Sequence, residues 1–203
     1  DVSDTVLYVN GNHDYEVGGT AYNSGAYIDT EMQEKVGAYD DVLYESEDRE
    51  SNLLAYYYQI EGIHFIGLNT PYNGDKTVSG YVYTPESIEW VADKLAAIDK
   101  DETVIFLSHY MLQDSKGMSE PGKGLSNANG MNDRLKEILL QYPNLIQVYG
   151  HDHGAPFIEK DVFERVTPYE ADGSILSSRS TRSTGFVSAF MGSLSYYNNR
   201  FNG

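Results

Sequence analysis

Four of the five histidines in this chain come just after apolar, strand-like runs. His109 follows "VIFLS", His151 and His153 follow "LIQVY", and His13 comes shortly after "VLYV". Loops at strand ends carry the chemistry of many α/β folds, because the sheet fixes their position while the loop exposes the side chain. Alone, the His-x-His at 151–153 is also compatible with a polar turn. Together with two further histidines at strand ends, it favours a metal site, since imidazoles bind Zn, Fe, Mn or Ni.

The stretch "GNHD" at 11–14 extends this hypothesis. Gly11 is expected to let the backbone turn tightly, and Asn12 has a side-chain oxygen that is a harder metal ligand than imidazole. His13 is a candidate proton donor, because the carboxylate of Asp14 can hold its imidazole in one tautomer. The stretch therefore combines one metal ligand with one general acid.

The elements that must position these residues indicate an α/β fold, since strands alternate with helices along the chain. The run "LAYYYQIEGIHFIGLN" at 54–69 predicts a hairpin that turns at Glu61-Gly62. Thr84-Pro85-Glu86 is a helix start, and apolar residues at helical spacing extend that helix to about Asp99. Residues 113–130 have the composition of a loop. The other predicted elements are strands at 6–9, 104–108, 145–149 and 185–191, and helices near 29–37 and at 133–141.

Composition excludes several classes of function. The formal net charge of −17 argues against a nucleic-acid partner, because such binders cluster Lys and Arg to displace counterions. No apolar run approaches the ~18 residues of a membrane span. Without cysteine, the chain has neither disulfides nor thiolate ligands, so a metal must use His, Asn and carboxylate groups. This acid-rich, cysteine-free composition suits a bacterial protein, including an exported one.

The 18 tyrosines offer a different class of function, a non-catalytic carbohydrate or protein binding module that presents aromatic rings. Tyr56, Tyr57 and Tyr58 would alternate between the two faces of a strand, so cross-strand packing is the simpler interpretation. His64 lies inside the hairpin strand and is interpreted as a structural or surface residue.

Three motifs, in this order and spacing, resemble the calcineurin-like metallophosphoesterases: "GNHD" at 11–14, "SHY" at 108–110 and "GHDH" at 150–153. Between them, "YYYQIEGIHFIGLNT" at 56–70, "IEWVADKL" at 88–95 and "TVIFLSHYML" at 103–112 are similar to segments of purple acid phosphatase-like members. The resemblance covers about Thr5 to Gly154. It implies a two-sheet sandwich flanked by helices, with a dinuclear metal centre at the strand ends that hydrolyses phosphate esters.

The resemblance also implies roles for the site residues. Asn12, His109 and His151 would bind one metal ion, and His153 would bind the other, the pair being Mn, Fe or Zn. Two such ions neutralise phosphoryl oxygens and activate a water for in-line attack.

By the same resemblance His13 is the general acid that protonates the leaving-group oxygen, and Asp14 orients it.

The chain departs from the family pattern in one respect. The family places an Asp-x-His and a Gly-Asp-x-x-Asp before the Gly-Asn-His-Asp, and this sequence has neither there. Residues 1–203 are therefore expected to form a single partial domain, incomplete at both ends. We expect it to bind at most one metal ion, weakly, and to hydrolyse esters negligibly. Missing strands would leave an unpaired sheet edge, through which self-association is expected.

Overall fold

The computed structural model describes residues 7–11, 39–45, 53–71, 83–113, 124–151, 163–166 and 186–190. The described strands are β1 (Asp41–Tyr44), β2 (Leu53–Ile60), β3 (Ile63–Leu68), β4 (Val104–Ser108), β5 (Leu145–Tyr149), β6 (Phe163–Val166) and β7 (Phe186–Phe190). They form one mixed seven-stranded sheet in the order β1-β2-β3-β4-β5-β7-β6. Strands β3, β4, β5 and β7 run parallel, and the remaining pairings are antiparallel.

The predicted hairpin is formed by β2 and β3. Its turn residues Glu61 and Gly62 both have positive φ, 50° and 80°, as the favoured two-residue hairpin turns require. The register pairs Ala55 with Leu68 and Ile60 with Ile63. The structure thus confirms the predicted hairpin, including the position of its turn.

Two helices connect the parallel strands. The first, α1 (Pro85–Ala96), lies between β3 and β4, and the second, α2 (Met131–Leu139), lies between β4 and β5. The hydroxyl of Thr84 caps α1 by accepting from the backbone N–H of Ser87, as its sequence predicts. The second helix begins two residues earlier than predicted, after a short 3-10 turn at Ala128–Gly130.

Both helices pack on the same face of the sheet. Ile66, Phe106 and Leu145 project from neighbouring strands into one buried apolar cluster. The helices complete this cluster with Ile88, Val91 and Leu95 of α1 and Leu135, Ile138 and Leu139 of α2. Burial of this apolar stripe explains why weakly apolar helices are stable here.

One predicted strand is wrong. Residues 7–9 are not a β-strand, and their side chains are only half-buried. The segment is joined to the rest of the fold at Asn10, whose backbone N–H donates to Asn69 Oδ1 at 3.0 Å. The apolar run before Gly11 predicted backbone pairing with a neighbouring strand. The observed contact is instead made by the side chain of Asn69, just after the end of β3.

The α/β class is confirmed, while other parts of the fold prediction stay predictions. Every described strand belongs to the one sheet, so a second sheet of the proposed sandwich is not found among the described residues. The helix near 29–37 lies outside those residues. Among them, no helix has the length and apolar character needed to cross a membrane.

Candidate metal site at the carboxyl edge of the sheet

The carboxyl ends of three parallel strands meet at one edge of the sheet. Leu68, Ser108 and Tyr149, the last residues of β3, β4 and β5, lie side by side in register. The residues that follow them are therefore brought together, among them His109 directly after β4 and His151 two residues after β5. Because of this topology, histidines 42 positions apart in the sequence become neighbours.

His109 and His151 face each other. Nε2 of His109 lies 3.1 Å from Nδ1 of His151, and the two ring centroids are 4.9 Å apart at an angle of 69°. Tyr110 contacts both rings edge-on, with centroids 5.0 Å from His109 and 4.9 Å from His151. His151 is buried and Tyr110 is almost completely so. The tyrosine ring thus fixes the orientation of both imidazoles.

The separation of the two nitrogens fits a shared cation. Zinc–nitrogen bonds of about 2.0–2.1 Å at octahedral to tetrahedral angles would place two such nitrogens about 2.8–3.4 Å apart. The observed 3.1 Å falls in this range. The same two atoms can also share one proton when no cation is bound, so the pair is suited to either state.

The backbone around the pair is also unusual. His151 has a φ of 65°, a left-handed conformation that is uncommon for a residue with a side chain. Such strained positions concentrate at functional sites. The backbone N–H of Gly150 donates to the carbonyl of His109 at 3.1 Å, which joins the two loops that carry the imidazoles.

Gly11 packs against the His109 ring. A Cβ atom built on Gly11 would lie 2.4 Å from ring atoms of His109, closer than non-bonded atoms can approach. The φ of Gly11 is not in the positive region. The expected tight turn continues into residues outside the described ranges and stays a prediction. Among the described residues, the close approach of His109 is what requires a glycine here. This contact brings the beginning of "GNHD" to the histidine pair.

A buried polar network below the pair was not found from the sequence. Gln147, in the middle of β5, donates from Nε2 to Ser108 Oγ at 2.9 Å. Ser108 Oγ in turn donates to the carbonyl of Tyr110 at 3.1 Å. The backbone N–H of Tyr110 donates to the hydroxyl of Tyr83 at 3.1 Å, and burial raises the pKa of that hydroxyl. The sequence signal for this network is that Ser108 and Gln147 are polar residues at buried positions of the otherwise apolar strands β4 and β5.

The other proposed site residues, Asn12, His13, Asp14 and His153, lie outside the described residues, so their assignment stays a prediction. In the part of the chain that the structure describes, no three His, Cys, Asp or Glu side chains are grouped to hold a metal ion. The described site therefore consists of the His109–His151 pair and its immediate surroundings.

His64 has a different environment at the opposite end of the sheet. Its ring is buried, its Nδ1 lies 2.8 Å from the Tyr57 hydroxyl, and its Nε2 lies 3.3 Å from Glu102 Oε2. Partial burial raises the pKa of Tyr57, and the charges of Asp40 and Glu102 raise it further. Of the two interpretations of His64, structural or surface, the burial agrees with the structural one.

Comparison with known proteins finds similarity to a solved structure but no matching family. No protein-family model and no curated protein matches the chain. Among solved structures, the chain is similar to a purple acid phosphatase isolated from yellow lupin (Lupinus luteus) seeds, with 20% sequence identity and a TM-score of 0.49. The similarity covers 91% of this chain and 30% of the lupin chain, so this chain spans less than a third of that protein's length.

Proposed function

We propose that this chain carries part of the metal site of an enzyme that hydrolyses phosphate esters. The observation that supports this most strongly is the 3.1 Å separation of His109 Nε2 and His151 Nδ1 at the carboxyl edge of the sheet. Two imidazole nitrogens that converge at this distance, beside a backbone contact that requires glycine, support the proposal of a metal site. The family resemblance of the three motifs indicates the reaction.

In this proposal Asn12, His109 and His151 hold one metal ion, and His153 holds a second. Bound there, the ions would polarise the phosphoryl group and lower the pKa of a water. The buried surroundings of His151 exclude bulk water from its side of the site.

His13 and Asp14 supply the proton chemistry in this proposal. His13 donates a proton to the leaving-group oxygen, which would otherwise depart as an unstable alkoxide. Asp14 accepts a hydrogen bond from the other ring nitrogen of His13 and so keeps the imidazole oriented and protonated.

The alternative of an aromatic binding module has less support from the structure. Tyr56 is fully buried and stacks on Tyr39 with ring centroids 4.1 Å apart. Tyr57 packs against the main apolar cluster and hydrogen-bonds His64. Two of the three consecutive tyrosines are therefore used for packing and are not free to form a binding platform.

In this proposal the chain supplies three ligands for one metal ion and a single ligand for its neighbour. The Asp-x-His and Gly-Asp-x-x-Asp that complete the family's site do not precede "GNHD" in these 203 residues. We therefore propose that the isolated chain binds one ion weakly and turns over phosphate esters negligibly.

Titration of the purified chain with Zn²⁺ by calorimetry tests the metal site. We expect binding to one site, and His109→Ala or His151→Ala to weaken it at least about tenfold. His64→Ala is the matched control, because it removes a buried histidine at the other end of the sheet and should leave the affinity unchanged. Equal affinities in all four proteins would contradict the proposed site.

An assay with a chromogenic phosphate ester and added Zn²⁺, Mn²⁺ or Fe²⁺ tests the activity. We expect no measurable turnover by the isolated chain. Turnover at ordinary enzyme rates that His13→Ala abolishes would show that other groups replace the missing ligands.

A further inference from the structure

Three hydrogen bonds join Asn10 to the residues that follow β3. Asn10 N–H donates to Asn69 Oδ1 at 3.0 Å, and Asn10 Oδ1 accepts from the backbone N–H of Thr70 at 2.7 Å. The Thr70 hydroxyl also donates to the Asn10 carbonyl at 3.5 Å. All three residues are buried. We call this arrangement, formed by Asn10, Asn69 and Thr70, the asparagine clamp.

The asparagine clamp is next in sequence to the residue that contacts His109. Gly11, whose backbone packs against the His109 ring, directly follows Asn10. Asn12 follows in turn, and consecutive Cα atoms are about 3.8 Å apart. A shift of Asn10 would therefore move both the backbone that supports His109 and the proposed amide ligand.

Asn69 has a second feature that is unusual for a buried residue. Its Oδ1 must face Asn10, because only an oxygen can accept from a backbone N–H, and this fixes the orientation of the amide. Its Nδ2 is buried and has no hydrogen-bond partner among the described residues. Buried polar groups are nearly always satisfied, and exceptions call for an explanation such as a functional role.

We propose that Asn69 and Thr70 are positioning residues for the metal site, and that they act by fixing Asn10 and hence the Gly11 backbone beside His109. This inference rests on the proposed metal-binding function. Neither residue binds the metal in this proposal. They set the position of the Gly11 backbone against the His109 ring, and so the orientation of one imidazole of the pair.

The test uses two measurements on the same variants. The first is the ¹H chemical shift of the Gly11 Hα protons in the metal-free protein, which the nearby His109 ring displaces from the ordinary glycine range. The second is the Zn²⁺ dissociation constant from calorimetry. The ring-current shift is measured without metal, so it reports on the clamp independently of the metal function.

Asn69→Leu keeps a similar volume but removes the acceptor for Asn10. We expect the Gly11 shift to collapse toward the ordinary glycine value and Zn²⁺ affinity to fall at least about tenfold. Asn69→Asp retains an acceptor oxygen and should restore the Gly11 shift. Thr70→Val removes the 3.5 Å contact of the hydroxyl and should change the shift slightly in the same direction.

Asn144→Leu is the matched control. Asn144 also joins two loops through its side chain, donating from Nδ2 to the carbonyls of Lys100 and Asp101, but at the amino end of β5. It should alter neither the Gly11 shift nor the affinity. An unchanged Gly11 shift or an unchanged affinity in Asn69→Leu would overturn the positioning role. Absence of Zn²⁺ binding by the unaltered chain would instead overturn the proposed function.

Discussion

Each end of the sheet contains a buried histidine, but different groups surround the two rings. At the amino end, one ring nitrogen of His64 faces the Tyr57 hydroxyl and the other faces the Glu102 carboxylate. At the carboxyl end, His109 and His151 face each other and are packed by a tyrosine ring and a glycine backbone. Burial alone therefore does not distinguish a structural histidine from a candidate ligand. The two are distinguished by the groups that face the ring nitrogens.

The difference follows from where each histidine lies relative to its strand. His64 is inside β3, where its partners come from the neighbouring strand β2 and from the residues just before β4. The other two follow strands, where a parallel sheet gathers several loops at one edge. His64 and His151 are therefore both buried but have different surroundings.

The largest effect is expected for Gly11→Ala. A Cβ there would lie 2.4 Å from the His109 ring, so the ring or the backbone must move. We expect a loss of about 1–3 kcal/mol in the free energy of unfolding, the usual cost of overpacking. We also expect Zn²⁺ affinity to fall more than about tenfold, because ligand geometry is disturbed. Urea unfolding and calorimetric titration measure the two effects.

Gly150→Ala is the matched control for that variant. A Cβ on Gly150 would lie 3.8 Å from His109 Nδ1, an ordinary contact distance, and its φ is not positive. We expect nearly unchanged stability and affinity. Equal losses in the two variants would show that the loops, and not the Gly11–His109 contact, set the geometry of the pair.

At the amino end we expect an effect on stability alone, without a change in metal affinity. His64→Ala removes a buried ring and leaves the Tyr57 hydroxyl without its partner, so we expect a loss of about 1–3 kcal/mol in the free energy of unfolding. Tyr57→Phe removes only the hydroxyl and should cost about 1 kcal/mol. Neither variant should change Zn²⁺ affinity. A loss of affinity in His64→Ala would show that the two ends are coupled.

Local sequence signals predicted most of the scaffold. The turn at Glu61-Gly62, the Thr84 cap and the apolar runs of β4 and β5 act over a few residues, and each of these elements is found within a few residues of its predicted bounds. The same runs place His109 and His151 just after two strands, but the sequence does not show that these two strands are neighbours. In the structure β4 and β5 pair in parallel, connected through a helix.

Two of the features that the sequence did not show concern contacts between distant parts of the chain. The Leu7–Val9 segment has strand-like residues but is held by Asn69 and Thr70, some 60 positions away. The sequence suggested a tight turn at Gly11 but could not show its contact with His109, 98 residues later in the chain. Side-chain pairing of this kind has no periodicity that a single sequence could reveal.

The smallest effect concerns acid stability at the amino end of the sheet. Asp41 pairs in register with Tyr57, and its hydrogen bond with Lys94 of α1 lowers the carboxyl pKa below its ordinary value of 3.8. A carboxyl with a lowered folded-state pKa stabilises the protein above its unfolded pKa and loses that contribution as pH falls through the folded value. Because the pair is partly exposed, we expect Asp41→Asn to cost less than about 1 kcal/mol near neutral pH. The difference in free energy of unfolding between the two proteins should therefore shrink below about pH 4, as measured by urea unfolding at several pH values. A difference that stays constant into acid would mean that the ionised form of Asp41, and hence its attraction to Lys94, does not contribute to stability.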